Sequence, residues 1–143
     1  MTATQEHQVT DNPLVRELAA LNLDPDHFVI FGSAPLLAHG LRTTVHDLDV
    51  VARGDVLTWA QQTGTPAIGT HSGDPVWHLC EGRIQVSAGW ITPQWNPTAL
   101  IDNADLIEGL RFARLLDVLH YKQELRRPKD LADIKKIQAH LRP

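Results

Sequence analysis

The sequence predicts a mixed α/β (α+β) domain: a small mixed β-sheet, flanking helices and a helical C-terminal segment. Three observations carry that prediction. The chain has 143 residues, 43% hydrophobic and 21% charged, which suits one domain with a real core. Its first apolar run, Phe28-Val29-Ile30-Phe31, is continuous, as expected of a strand buried on both faces. Its last third places leucines and isoleucines at helical spacing on either side of Arg126-Arg127-Pro128. The polar residues 1–10 are expected to form a flexible tail, and residues 11–143 a single domain.

The elements follow in order. Asp11-Asn12-Pro13 offers a cap and a proline for the first turn, and Leu14, Val15, Leu18 and Leu21 continue a helix to about residue 22. Asp24-Pro25-Asp26 ends it, and residues 27–31 form the first strand. Gly32-Ser33 makes a turn into a short helix over 34–39, with Pro35 tolerated in its first turn and Gly40 as C-cap. A polar loop through Arg42 leads to a second strand over 47–52. Asp55 is expected to cap a helix over 56–62, ended by Gly64. Strands are expected over 66–68, 76–80 and 83–88, with Glu81-Gly82 as the tight turn between the last two. Residues 90–97 read as a loop rich in Trp and Pro, 98–104 as a helical turn, and 106–110 as extended. Two helices finish the chain. One covers 112–125 on Phe112, Leu115, Leu116, Leu119 and Leu125. The other covers 130–141, with Leu131, Ile134, Ile137 and Leu141 on one face.

Composition narrows the function classes. The net charge of −4 argues against a general nucleic-acid binder held by phosphate contacts, although Arg126–Lys129 form a local basic cluster. The single cysteine, Cys80, excludes an internal disulfide and fits a cytoplasmic location. No apolar stretch is long enough to span a bilayer, and the N-terminus lacks the pattern of a secretory signal, so no membrane partner is expected.

Chemistry concentrates between residues 28 and 51. In Asp47-Leu48-Asp49 the two carboxylates alternate onto one face of a strand. Like charges side by side repel, and a divalent cation reverses that cost. The plain alternative makes Asp47 a turn residue and Asp49 the partner of an arginine such as Arg42. The Gly32-Ser33 turn lets backbone approach a ligand and offers a hydroxyl where anions bind well. Its plain alternative is Ser33 as an ordinary helix cap.

A strand, Gly-Ser, a short helix and Asp-x-Asp on the next strand, with 13 residues between Ser33 and Asp47, resembles the signature of the polymerase-β-like nucleotidyltransferase superfamily. Tyr121-Lys122 followed by Arg126-Arg127-Pro128-Lys129-Asp130-Leu131-Ala132-Asp133 is similar to a helical segment of its small bacterial members, of antibiotic-modifying and abortive-infection-toxin type. The resemblance implies a nucleotidyltransferase-type sheet and a magnesium-dependent transferase with a nucleoside triphosphate as substrate. Two Mg2+ ions would be held by Asp47 and Asp49. Lys122 and Asp130 would join those aspartates as catalytic residues, and Gly32, Ser33, Arg42 and Lys129 would bind the nucleotide. Asp133, Lys135 and Lys136 read better as a solvated helix surface. The acceptor stays open among a small molecule, a protein and a tRNA end, and such proteins often pair as homodimers to complete a site.

One position departs from the family pattern. A third carboxylate is expected on a later strand, and Gln85 of Gly82-Arg83-Ile84-Gln85-Val86-Ser87 stands there. Three readings follow: catalysis without it, a displaced acid such as Glu81 or Asp74, or a degenerate protein that keeps the fold as a nucleotide-binding or toxin–antitoxin interaction module. His71, His78 and Cys80 fit no common zinc spacing and read as strand and loop residues. Trp59, Trp77, Trp90 and Trp95 read as core and loop anchors.

Overall fold

The computed structural model describes residues 8–69, 73–88 and 96–142. The expected tail over 1–7, His71, and the loop residues 89–95 with Trp90 and Trp95 lie outside them.

The architecture is mixed α/β, as expected. The helices are α1 (Pro13–Ala20), α2 (Ala34–Ala38), α3 (Gly54–Thr63), α4 (Pro97–Asp102), α5 (Leu115–Leu125) and α6 (Pro128–Leu141). The strands are β1 (Phe28–Phe31), β2 (Leu48–Ala52), β3 (Thr65–Ile68), β4 (Pro75–Leu79), β5 (Ile84–Ser87), β6 (Asp105–Ile107) and β7 (Leu110–Phe112). Among the described residues they form one seven-stranded sheet in the order β3-β4-β5-β2-β1-β7-β6, larger than the small sheet expected. β1 runs antiparallel to β2 and parallel to β7, and β2 runs parallel to β5.

The central strands are buried on both faces, and their alternation builds two cores. Phe28, Ile30, Leu48, Val50, Ile84 and Val86 face α1 and α3. Val29, Phe31 and Val51 face the other way, against Leu100, Ile101, Leu115, Val118 and Ile137. The first helix starts as read: the Asn12 side chain accepts from the Leu14 and Val15 amides.

Several boundaries move for physical reasons. Val9 is buried and its amide donates to Glu108 at 2.8 Å, so the fold begins before residue 11. Asp55 is not the cap of α3; Arg53 holds that position and Asp55 sits in the first turn. Residues 106–112 are a β6–β7 hairpin turning at Glu108-Gly109, both at positive φ. Phe112 therefore ends a strand, and α5 starts at Leu115. The Glu81-Gly82 turn is a short 3-10 turn with Cys80, Glu81 and Gly82 all at positive φ.

The inward stripe of α6 also differs from its apolar pattern. Asp130, Asp133 and Ile137 are its buried residues, while Leu131 and Leu141 are exposed, as is Leu116 of α5. Carboxylates occupy the start of the buried face because a buried cation on α5 meets them there.

Candidate functional site

A cavity of about 610 Å³ opens between the sheet and α5–α6, and it gathers every site residue read from the sequence. Gly32 and Ser33 line it from the β1–α2 turn, Arg42 and Asp47 from the following loop, and Asp49 and Gln85 from the sheet. Lys122, Lys129 and Asp130 complete it from the two C-terminal helices. Glu81 and Asp74 lie outside this lining.

Gly32 is fixed by its surroundings. Its φ is +69°, and a Cβ there would fall 2.6 Å from Asp49 Oδ2. Only glycine leaves that oxygen free. Ser33 makes no side-chain cap bond on α2. Its Oγ instead accepts from Lys122 Nζ at 3.2 Å, which ties the turn to α5. The capping alternative for Ser33 is therefore set aside.

Lys122 is 2% exposed and sits among three acceptors: Ser33 Oγ, Asp130 Oδ1 at 3.3 Å and Asp133 Oδ2 at 3.2 Å. Two of its N–H groups donate hydrogen bonds, to Ser33 and Asp130, and Asp133 adds an ion pair. Its geometry is that of a residue positioning the turn against α6. Asp130, 0% exposed, accepts Arg127 Nε at 2.7 Å, the Arg127 amide at 3.1 Å and Arg127 Nη2 at 3.0 Å. Burial pushes the Asp130 carboxyl up, but the Arg127 hydrogen bonds and the Lys122 and Arg127 charges outweigh it and hold the group below its ordinary value. Asp130 thus serves as a counter-ion. Asp133, read as surface, is buried and bridges Lys122 and Arg42 Nη1 at 3.3 Å. Arg42 is therefore Asp133's partner, not Asp49's.

Asp47 and Asp49 are the contrasting pair. Neither carboxylate makes a hydrogen bond or ion pair among the described residues. Burial, then the charge of Asp47, pushes the Asp49 carboxyl up to about 6, against the opposing pull of Arg127, Lys122 and Lys129. Two unpaired carboxylates beside a glycine-cleared space fit Mg2+, which takes one or two protein carboxylates and completes its shell with water and phosphate.

Several lining residues had no expected site role, Arg127, Tyr121 and Lys136 among them. Arg127 faces Asp49 and Tyr121; the sequence placed it in the Arg126–Lys129 basic cluster without a site role of its own. Tyr121 packs edge-on to Phe31 with ring centroids 5.2 Å apart, and burial and the Asp49 charge push its phenol up. Lys136 lies with Lys129, Ala132 and Asp133 on the α6 face lining the cavity, an i, i+3, i+4, i+7 stripe. Lys129 and Lys136 are exposed and make no ion pair among the described residues.

No protein-family model, curated protein or solved structure matches the chain. No helix among the described residues is long and apolar enough to cross a membrane.

Proposed function

We propose that the protein is a magnesium-dependent nucleotidyltransferase of the polymerase-β-like superfamily, moving a nucleotidyl group from a nucleoside triphosphate to an acceptor hydroxyl. The observation that carries this reading is the unpaired Asp47–Asp49 pair facing the Gly32–Ser33 turn inside a cavity with basic walls. Asp47 and Asp49 hold Mg2+. The ion supplies charge neutralisation for the phosphates and acidity for the acceptor hydroxyl. The Gly32–Ser33 backbone and the Arg127, Lys129 and Lys136 side chains receive the triphosphate. Lys122, Asp130 and Asp133 hold the turn and α6 in register, so the cationic wall needs no rearrangement on binding.

The test is pyrophosphate release from ATP, CTP, GTP and UTP with a panel of hydroxyl acceptors, alongside a thermal-shift assay with each nucleotide and Mg2+. Wild type is stabilised by at least one nucleotide only when Mg2+ is present, and Asp49→Asn is not. Equal responses of the two proteins to every nucleotide would sink the metal-site reading.

Gln85 favours a second reading, a nucleotide-binding module that does not turn over. An amide stands beside Asp49 and cannot act as a base. Pyrophosphate release that appears only in Gln85→Glu would select it.

A further inference from the structure

Asp49, Gln85 and His78 stand side by side across β2, β5 and β4, in register and on one face of the sheet. Gln85 lines the cavity, and its Oε1 lies 3.3 Å from His78 Nε2. An amide oxygen only accepts, so this bond requires the His78 proton on Nε2. The carbamoyl group then has a fixed sense. Its oxygen is taken by His78, which leaves the nitrogen as the end of the amide that the histidine does not engage. That nitrogen makes no hydrogen bond among the described residues. An N–H2 group beside the Asp49 carboxylate is electrostatically complementary, whereas a carbonyl oxygen there would add to the crowding of negative atoms.

We propose that Gln85, held by the Nε2–H tautomer of His78, is a hydrogen-bond donor to an oxygen of the bound ligand, and that the Asp47–Asp49 site consequently takes one divalent cation rather than two. This rests on the nucleotide–metal reading of the site. Divalent cations of this class bind oxygen lone pairs. Beside Asp49, Gln85 offers the positive end of two N–H bonds, so a second cation would find only the neutral Ser87 hydroxyl, unpartnered among the described residues, as a further side-chain oxygen on β5, and no charged one. A ligand phosphate or hydroxyl oxygen finds a donor in the same place. His78 itself is a positioning residue, acting through Gln85.

Two measurements on the full chain test this. Long-range proton–nitrogen NMR at about pH 8.5, where an ordinary imidazole is neutral, reports the His78 tautomer directly. Nε2–H is expected. Nδ1–H would reverse the amide, turn its oxygen to the cavity and overturn the proposal, whatever the protein's activity.

The second measurement counts bound Mn2+ by electron paramagnetic resonance with a saturating non-hydrolysable nucleoside triphosphate. The expected count is one per wild-type chain and two per Gln85→Glu chain. Gln85→Leu keeps one ion and weakens nucleotide binding about tenfold. Two ions in wild type overturn the donor assignment while leaving the Asp47–Asp49 site standing. No nucleotide-dependent Mn2+ in wild type overturns the underlying reading and the proposal with it. The wild-type count and the tautomer decide even if Gln85→Glu does not fold.

Discussion

Asp49 is held at odds with its surroundings, and two residue-scale predictions follow from that. Its folded-state pKa of about 6 lies above the ordinary carboxylate value, so between about pH 4 and 6 the folded protein keeps a proton that the unfolded chain has released. Stability from this group is complete below the unfolded value and is lost as pH rises through the folded one. The loss is about 3 kcal/mol at most. Asp49→Asn removes the charge, so in metal-free buffer at pH 8 the variant is more stable than wild type by about 2–3 kcal/mol. The gap shrinks toward zero as the pH is lowered to about 4, and urea denaturation across that range measures it. A gap that grows with acidification would contradict the burial of this carboxyl. Gly32 protects the same oxygen. Gly32→Ala strains a left-handed backbone and drives a methyl into Asp49 Oδ2. It lowers stability by about 1–3 kcal/mol and removes Mg2+-dependent nucleotide binding, read by urea denaturation and calorimetric titration.

At the scale of elements, the joint that matters is the one between the β1–α2 turn, α5 and α6. Lys122 holds it by hydrogen bonds to Ser33 and Asp130 and an ion pair with Asp133. Lys122→Met leaves two buried carboxylates with one guanidinium each and releases the serine turn. Breaking a buried ion cluster by removing one partner costs about 3–5 kcal/mol, so the variant unfolds at markedly lower urea. Stability within about 1 kcal/mol of wild type would show that packing alone joins these elements. This joint was half legible in the sequence. Gly32-Ser33 and Asp47-x-Asp49 declare themselves locally, through a turn residue and a period-2 carboxylate pair. Lys122 and Asp130 emerged from the resemblance of a helix start. Asp133 stands in the same segment but read as surface, because its burial depends on a cation 11 positions earlier on another helix. The β6–β7 hairpin was hidden for a related reason. Its strands span three residues each, and Phe112 falls in step with the leucines of α5. The Asp49–Gln85–His78 row depends on register between strands, which no local pattern states.

For the whole molecule, charge is arranged against its own average. The chain carries −4 overall, yet the cavity wall on α6 presents Lys129 and Lys136 without ion-pair partners among the described residues, with Arg127 at its edge. On the proposed nucleotide reading, attraction for a polyphosphate is local and works against the net negative charge of the chain. Lys129→Glu combined with Lys136→Glu reverses the two exposed charges while leaving the Lys122 cluster and both cores untouched. Nucleotide affinity at low ionic strength is expected to fall at least about tenfold, with little change in unfolding midpoint, because exposed charges contribute little to folding. Raising the salt from about 50 to 300 mM weakens wild-type binding and narrows the difference between the proteins, since the Debye length shrinks toward the size of the cavity. Calorimetric titration at both salt concentrations, paired with thermal unfolding, separates the two effects. Equal affinities at low salt would mean that α6 only packs, and that the ligand's phosphates meet the Gly32–Ser33 backbone and Arg127 alone.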